Sequence, residues 1–262
     1  MRNILLVLIL SSLISAQTLE IINSEYLPKA DTAFVFYPNN QITNDKLPLV
    51  ILLHGWSADY KQWSTEVDLQ EFANKYSFVI ACPDGFYDSW YINNPYKDDL
   101  MFEDFFIQDF LPYISKKYNV DDKNIFISGL SMGGHGAMTL MLKHPDIFKS
   151  AGSTSGVLDL TMFPDRWTIK EGIGNYQDSP EIWKNNSAYY LLESIEGTDK
   201  EIIFDCGTED FVYITNFRFF EKTIDLKIKA TFISQPGKHT HAYWQKAIPH
   251  HFDFFKRLSL KE

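Results

Sequence analysis

Residues 129–133 read Gly129-Leu130-Ser131-Met132-Gly133, a serine with a glycine two places away on either side. The run before it, "IFISG" at 125–129, has the near-continuous apolar character of a buried strand, and "MGGHGAMTLMLKH" after it reads as a helix. A serine on the tight turn between the two would hold its hydroxyl clear of the backbone. Small residues at the flanking positions would let strand and helix approach. The first N–H groups of the helix would then point at negative charge developing on a carbonyl under attack. Glycine and serine are common, so the pentapeptide alone is equally a turn with no chemistry. Its placement between strand and helix is what points to a nucleophile.

A serine hydroxyl attacks poorly until a histidine takes its proton, and the imidazolium so formed needs a carboxylate to orient it. A serine on such a turn resembles the nucleophile elbow of the α/β hydrolases, and that resemblance implies that the acid and then the base follow the nucleophile along the chain. "EIIFDCGTEDF" offers Asp205, Glu209 and Asp210. Asp205 still lies within the apolar run, so the expectation falls on Asp210, past Gly207, with Glu209 as the alternative. "SQPGKHTHAYW" offers His239 and His241 as bases, both in the loop after the last predicted strand. The other histidines read as structural: His54 ends a strand, His135 lies in the helix after the serine, His144 precedes Pro145, and His250 and His251 sit deep in the last helix. An oxyanion needs two backbone donors. Met132 N–H supplies one, and Trp56 N–H, following His54-Gly55 in "LLHGWSADYKQW", is expected to supply the other.

These groups need a scaffold to bring them together. "LVILLHG" (49–55), "FVIACP" (78–83), "IFISG", "EIIFDCG" (201–207) and "KATFIS" (229–234) read as strands buried on both faces, and "AGSTSG" (151–156) as a weaker one. In "MFEDFFIQDFLPYI", Phe102, Phe106 and Phe110 recur every four residues with Ile107, Leu111 and Ile114 beside them, the stripe of a helix lying on a sheet. The alternation predicts an α/β fold: a mostly parallel central sheet of about eight strands with helices on both faces. The first strands, near "LEIINSEYL" and "TAFVFYP", have no helix between them and are expected as antiparallel edge strands.

The 262 residues, 45% apolar and 22% charged, suffice for one large core, with no repeat or long linker among them. A formal charge of -10 without a Lys/Arg cluster argues against nucleic acid and anionic membranes as partners. "MRNILLVLILSSLISA" has Arg2, an apolar run from Ile4 to Leu10 and small residues up to Ala16, a secretory signal pattern too short to span a bilayer. The expectation is a signal peptide at 1–16, one domain at 17–262, and a secreted or periplasmic product off the membrane. No His, Cys and carboxylate cluster has metal-ligand spacing, so neither a metal nor a cofactor is expected. The stretch 85–96 carries Phe86, Tyr87, Trp90, Tyr91 and Tyr96. With Trp56, Tyr60 and Trp63 these either line a cleft that stacks on sugars or aryl rings, or pack beneath their loop. Trp90 and Tyr91 are the candidates for substrate contact.

Taken in order, "LLHGWSADYKQW", "CPDGFYDSWYINNP", "GLSMGGHGAM", "HPDIFKSAGSTSG", "CGTEDF" and "PGKHTHAYW" make the chain resemble the esterase D / feruloyl esterase branch of the α/β hydrolases. That branch includes tributyrin-type esterases and the mycobacterial mycolyltransferases. The resemblance runs across nearly all of 17–262. It implies the α/β-hydrolase fold, with Ser131 as nucleophile, Asp210 as acid and His239 as base, the last by a Gly-x-His-x-aromatic-x-x-Trp pattern from Gly237 to Trp244. His241 stands where the family commonly has Trp, which bears on the substrate pocket and makes His241 a further substrate-contact candidate.

The implied activity is hydrolysis of carboxylic esters through an acyl-serine, with His239 acting as base and then as acid and no cofactor involved. Feruloyl or acetyl groups on plant polysaccharide-type or small esters are the implied substrates. The alternatives are an acyltransferase of the mycolyltransferase type, passing the acyl group to a sugar, and a non-catalytic carbohydrate-binding homologue. The family's strand order would also place Cys82 and Cys206 on the fourth and seventh strands, roughly 15–20 Å apart. A disulfide spans no more than about 7 Å, so two free thiols are expected despite export.

Overall fold

In the computed structural model, which describes residues 17–39 and 45–261, eight strands form one sheet in the order β1-β2-β4-β3-β5-β6-β7-β8. They are β1 (Gln17–Ile22), β2 (Asp31–Phe36), β3 (Leu47–Leu53), β4 (Val79–Pro83), β5 (Val120–Gly129), β6 (Ser150–Thr154), β7 (Glu201–Gly207) and β8 (Lys229–Gln235). All five strong apolar runs and the weaker "AGSTSG" are strands. The expected signal peptide at 1–16 lies outside the described residues.

The six strands from β4 to β8 across the sheet are mutually parallel. β2 is antiparallel to both β1 and β4. Two reversals therefore return β1 to the common direction, and β2 alone runs against the sheet. On this side of the sheet β1, not the pair, forms the edge.

Side chains alternate across the sheet with the period of two that an extended chain imposes. Leu49, Ile51 and Leu53 enter one core layer, while Val50 and Leu52 enter the other. One layer is closed by α1 (Gln62–Glu66), α2 (Leu69–Tyr76) and α10 (His241–Ser259). The opposite layer is closed by α3 (Phe102–Phe105), α4 (Leu111–Lys117), α5 (Met132–Lys143) and α9 (Tyr213–Asp225). Burying each Leu, Ile or Phe contributes about 1.5–3 kcal/mol, which is why strands covered on both faces read as unbroken apolar runs. β8 departs from that expectation. It ends the sheet, and Lys229, Thr231 and Ser234 are exposed.

The phenylalanine stripe is helical as expected, with a π-helical turn (Phe106–Phe110) between α3 and α4. Leu111 N–H reaches back to Phe106 O across that turn. Pro112, near the start of α4, has no N–H to donate, and a widened turn accommodates that loss. Phe102, Phe105, Phe106 and Phe110 are all fully buried. Between β6 and β7 the chain makes a long excursion containing the short helices α6 (Ile169–Ile173), α7 (Pro180–Asn185) and α8 (Ala188–Leu191). It folds over the C-terminal ends of the strands near β6, anchored by the buried Trp183, Ile173 and Leu192.

Candidate active site

Ser131 sits between the last residue of β5 and the first of α5, with φ 54° and ψ -114°. Non-glycine residues rarely occupy this region, and holding one there costs on the order of 1–3 kcal/mol. The turn is held by Ser131 N–H, which donates to Thr154 O on β6 at 2.9 Å. A β-carbon at Gly129 would lie 2.3 Å from Gly133 O, and one at Gly133 would lie 2.2 Å from Leu53 O. No side chain fits at either place, so the two glycines are what allow strand, turn and helix to close this tightly.

Ser131 Oγ lies 2.9 Å from His239 Nε2. On the far side of the ring, His239 Nδ1 lies 2.9 Å from Asp210 Oδ2 and 3.1 Å from Oδ1. Asp210 is buried, and Val212 N–H donates to its Oδ1 at 3.0 Å. Two backbone bonds join the loop carrying Asp210 to the loop carrying His239: Thr208 N–H to Gln235 O and Glu209 N–H to Gly237 O, each 2.9 Å. With Nδ1–H directed at the carboxylate, Nε2 is left to accept the serine proton. The arrangement can therefore turn Ser131 into an alkoxide-like nucleophile as it attacks.

The alternatives considered from sequence fall elsewhere. Glu209 is exposed and lies 3.7 Å from Lys238 Nζ. Asp205 is buried beneath the site, bonded to His251 and Thr154. His241 bonds through Nδ1 to the buried carboxylate of Glu66, a partner that sequence reasoning missed because it lies on α1. His144 pairs with Glu103 at 2.9 Å. His54 Nδ1–H donates to Gly55 O at 2.8 Å and its Nε2 accepts from Gly85 N–H at 2.7 Å, bracing the turn after β3. Burial, and secondarily Lys143, push His135 down to about 3.

The two expected oxyanion donors flank the serine. Met132 opens α5, where N–H groups have no intrahelical acceptor. Trp56 follows Gly55, and a carbon added at Gly55 would lie 3.6 Å from Ser131 Cβ, which places this turn against Ser131. Gln62 Oε1 accepts from Gly55 N–H at 2.7 Å and Tyr87 O from Ser57 N–H at 2.8 Å. The intervening Trp56 N–H donates to no backbone carbonyl among the described residues.

Two of the three substrate-contact candidates, Trp90 and Tyr91, need correction. Tyr91 is buried at 1% exposure and its hydroxyl donates to His54 O at 2.9 Å, so it is a strut beneath the site. Trp63 is likewise core. Trp90 is 2% exposed and packs on His135 and Trp167, at 5.5 and 5.8 Å between ring centroids. Alternating burial within an irregular loop has no period to read, so sequence could not sort these rings. Tyr87 and Tyr96 are exposed, but the aromatic surface beside His239 is built from the excursion after β6 together with Phe211 after β7. An open cleft of about 610 Å³ is lined by Met162, Phe163, Arg166, Trp167 and Phe211 among others. Phe211 reaches His239 at 4.6 Å, and Trp167 stands 5.7 Å from Phe211. Trp167 and Thr168 both have positive φ, and Thr168 Oγ1 donates to Asp88 Oδ2 at 2.6 Å, tying the cleft to the 85–91 loop. The one sequence signal for this surface was Phe211, the neighbour of Asp210.

Cys82 on β4 and Cys206 on β7 are separated by β3, β5 and β6. Both are free and buried. No helix among the described residues is long and apolar enough to cross a membrane.

Residues 24–255 match the family model described as "Putative esterase", and the chain belongs to that family. It is 24% identical over 241 residues to the S-formylglutathione hydrolase of Rattus norvegicus, covering 82% of this chain and 84% of that protein. To the acetyl esterase of Caldicellulosiruptor saccharolyticus it is 23% identical over 237 residues, covering 83% and 86%. Among solved structures it is similar to the fluorophosphonate-binding serine hydrolase FphF of Staphylococcus aureus, with a TM-score of 0.81 and 25% identity over 92% of this chain and 98% of that one. The chain is a carboxylesterase with the α/β-hydrolase fold.

Proposed function

We propose that this member of the esterase family works through an acyl-Ser131 intermediate and acts, after export, on feruloyl and acetyl esters of polysaccharide-type or small alcohols. The observation that carries the reading is His239 bonded to Ser131 through one ring nitrogen and to Asp210 through the other. Ser131 Oγ adds to the ester carbonyl as His239 Nε2 takes its proton, and Asp210 stabilises the imidazolium. Trp56 N–H and Met132 N–H receive the oxyanion, each worth about 10²–10³ in rate by analogy with other such donors. Collapse expels the alcohol, which takes the proton back from His239. Water then repeats the sequence on the acyl group.

The rings of Phe163, Trp167 and Phe211 beside His239 support an aryl-bearing ester such as a feruloyl group over acetate. His241, which shares the Trp244 ring with His239, is a further substrate contact. Export is supported by the charged, apolar and small-residue regions of 1–16.

The test is a substrate panel for the mature protein: nitrophenyl acetate, butyrate and ferulate, methyl ferulate, acetylated xylan and S-formylglutathione. Feruloyl esters should give the highest kcat/KM. A preference for S-formylglutathione by more than about tenfold, a 1.4 kcal/mol difference, would overturn the oxygen-ester assignment. Acyl transfer to an added sugar in place of water would select the acyltransferase reading.

A further inference from the structure

Beneath Ser131 lies a second Ser–His–Asp chain that no substrate reaches. Ser128 Oγ is 2.8 Å from His251 Nδ1, and His251 Nε2 is 2.8 Å from Asp205 Oδ2. Thr154 Oγ1 donates to the same carboxylate oxygen at 3.0 Å. Ser128 and His251 have no exposed surface and Asp205 has 1%. Directing Nε2–H at Asp205 leaves Nδ1 for the Ser128 hydroxyl, so both ring nitrogens are used.

The buried chain draws on the same segments as the exposed one. Ser128 lies on β5 three residues before Ser131, and Asp205 on β7 five residues before Asp210. His251 is on α10, which begins two residues after His239. Thr154 also gives the carbonyl that accepts from Ser131 N–H. Apolar packing between α10 and the sheet is non-directional and would tolerate small shifts of the helix. Hydrogen bonds of fixed length from one helix residue to two strands do not.

A path from this contact to the base is also present. Tyr243, in the first turn of α10, is buried, and burial first and the charge of the Asp205 carboxylate next hold its phenol above the usual range. Its ring also closes on Gly237, where a β-carbon would lie 2.3 Å from it. Gly237 is two residues before His239.

We propose that Ser128, His251 and Asp205 are positioning residues, fixing α10 against β5 and β7 so that His239 Nε2 stays within hydrogen-bond distance of Ser131. The inference rests on Ser131 and His239 being nucleophile and base, which labelling of the wild-type chain at Ser131 by a fluorophosphonate tests separately.

The experiment compares Ser128→Ala, His251→Leu and His251→Gln in the mature chain, reading kcat, KM, the fluorophosphonate labelling rate and Tm. His251→Leu loses both bonds, and the resulting displacement should lower kcat and the labelling rate about 10²-fold with KM unchanged. His251→Gln can still donate an amide N–H to Asp205 and should recover to within about fivefold of wild type. Ser128→Ala removes one bond without adding volume and should lower kcat about three- to tenfold. A purely structural role would lower Tm and leave kcat and labelling alone. A folded His251→Leu protein with wild-type kcat would overturn the proposal. Where that variant does not fold, Ser128→Ala with wild-type kcat and labelling rate would overturn it equally.

Discussion

Glu66 on α1 holds His241, the first residue of α10, by a hydrogen bond from His241 Nδ1 to its buried carboxylate. Gln245 Nε2 donates to the other carboxylate oxygen at 3.2 Å. The bond turns the His241 imidazole toward α1, while His239, two residues earlier, faces Ser131. His239→Ala should therefore cost a factor on the order of 10⁴ in kcat, and His241→Ala about tenfold or less, seen mostly in KM. Reversed severities in steady-state assays would make His241 the base.

Ser131→Ala should fold normally and lose activity by about 10⁴ or more, since no other group in the site can form the acyl-enzyme. Relief of positive φ is not part of this change, because alanine keeps the β-carbon, so Tm should move little. Stoichiometric fluorophosphonate labelling of the Ser131→Ala chain would place the nucleophile elsewhere.

Asp210→Asn should lower kcat by roughly 10²- to 10⁴-fold, because an amide in place of the carboxylate favours the wrong imidazole tautomer and no longer stabilises the imidazolium. Glu209→Gln loses only an exposed contact 3.7 Å from Lys238 and should stay within about twofold of wild type. Equal losses in the two variants would mean the acid role is shared.

The strands and the three residues joined at the site were legible because each carries a local signature. β4, the second half of β5 and nearly all of β3 and β7 are buried on both faces and read as unbroken apolar runs, and Ser131 is framed by the only residues its turn admits. What the sequence could not show depends on contacts between distant segments. Glu66 reads as one more carboxylate on a short helix until α10 arrives over it. His251 reads as a core or surface histidine in a helix, and its bonds to β5 and β7 exist only once the sheet is assembled. Tyr91 and Phe211 are alike in type, yet one is buried under His54 and the other exposed beside His239, a difference set by loop geometry.

The cleft gives a specificity test. Phe211→Ala removes the ring that meets both His239 and Trp167. An aryl contact of this size contributes about 0.5–1.5 kcal/mol, so kcat/KM for a feruloyl ester should fall about three- to tenfold more than for acetate. Parallel losses on the two substrates would show that Phe211 supports His239 and does not read the acyl group.

His135 makes stability depend on pH in a window of its own. Burial holds it down to about 3, its Nδ1 lies 3.2 Å from Val157 O, and its Nε2 is buried without a partner among the described residues. A proton added to Nε2 in the folded chain would find no acceptor there. In the unfolded chain the same imidazole titrates near its ordinary ~6.5. As pH falls below that value the unfolded state gains a proton that the folded state refuses, so stability declines until the folded value is reached. At about 1.4 kcal/mol for each unit, lowering pH from 7.5 to 4.5 should remove roughly 2–3 kcal/mol through this residue alone. His135→Asn keeps a donor for Val157 O but cannot titrate. It should be less stable than wild type at pH 7.5, because it leaves a void beside Trp90, yet lose less on acidification. Urea midpoints measured at pH 7.5, 6.0 and 4.5 should converge for the two proteins as pH falls. Parallel curves across that range would mean that His135 takes a proton in the fold.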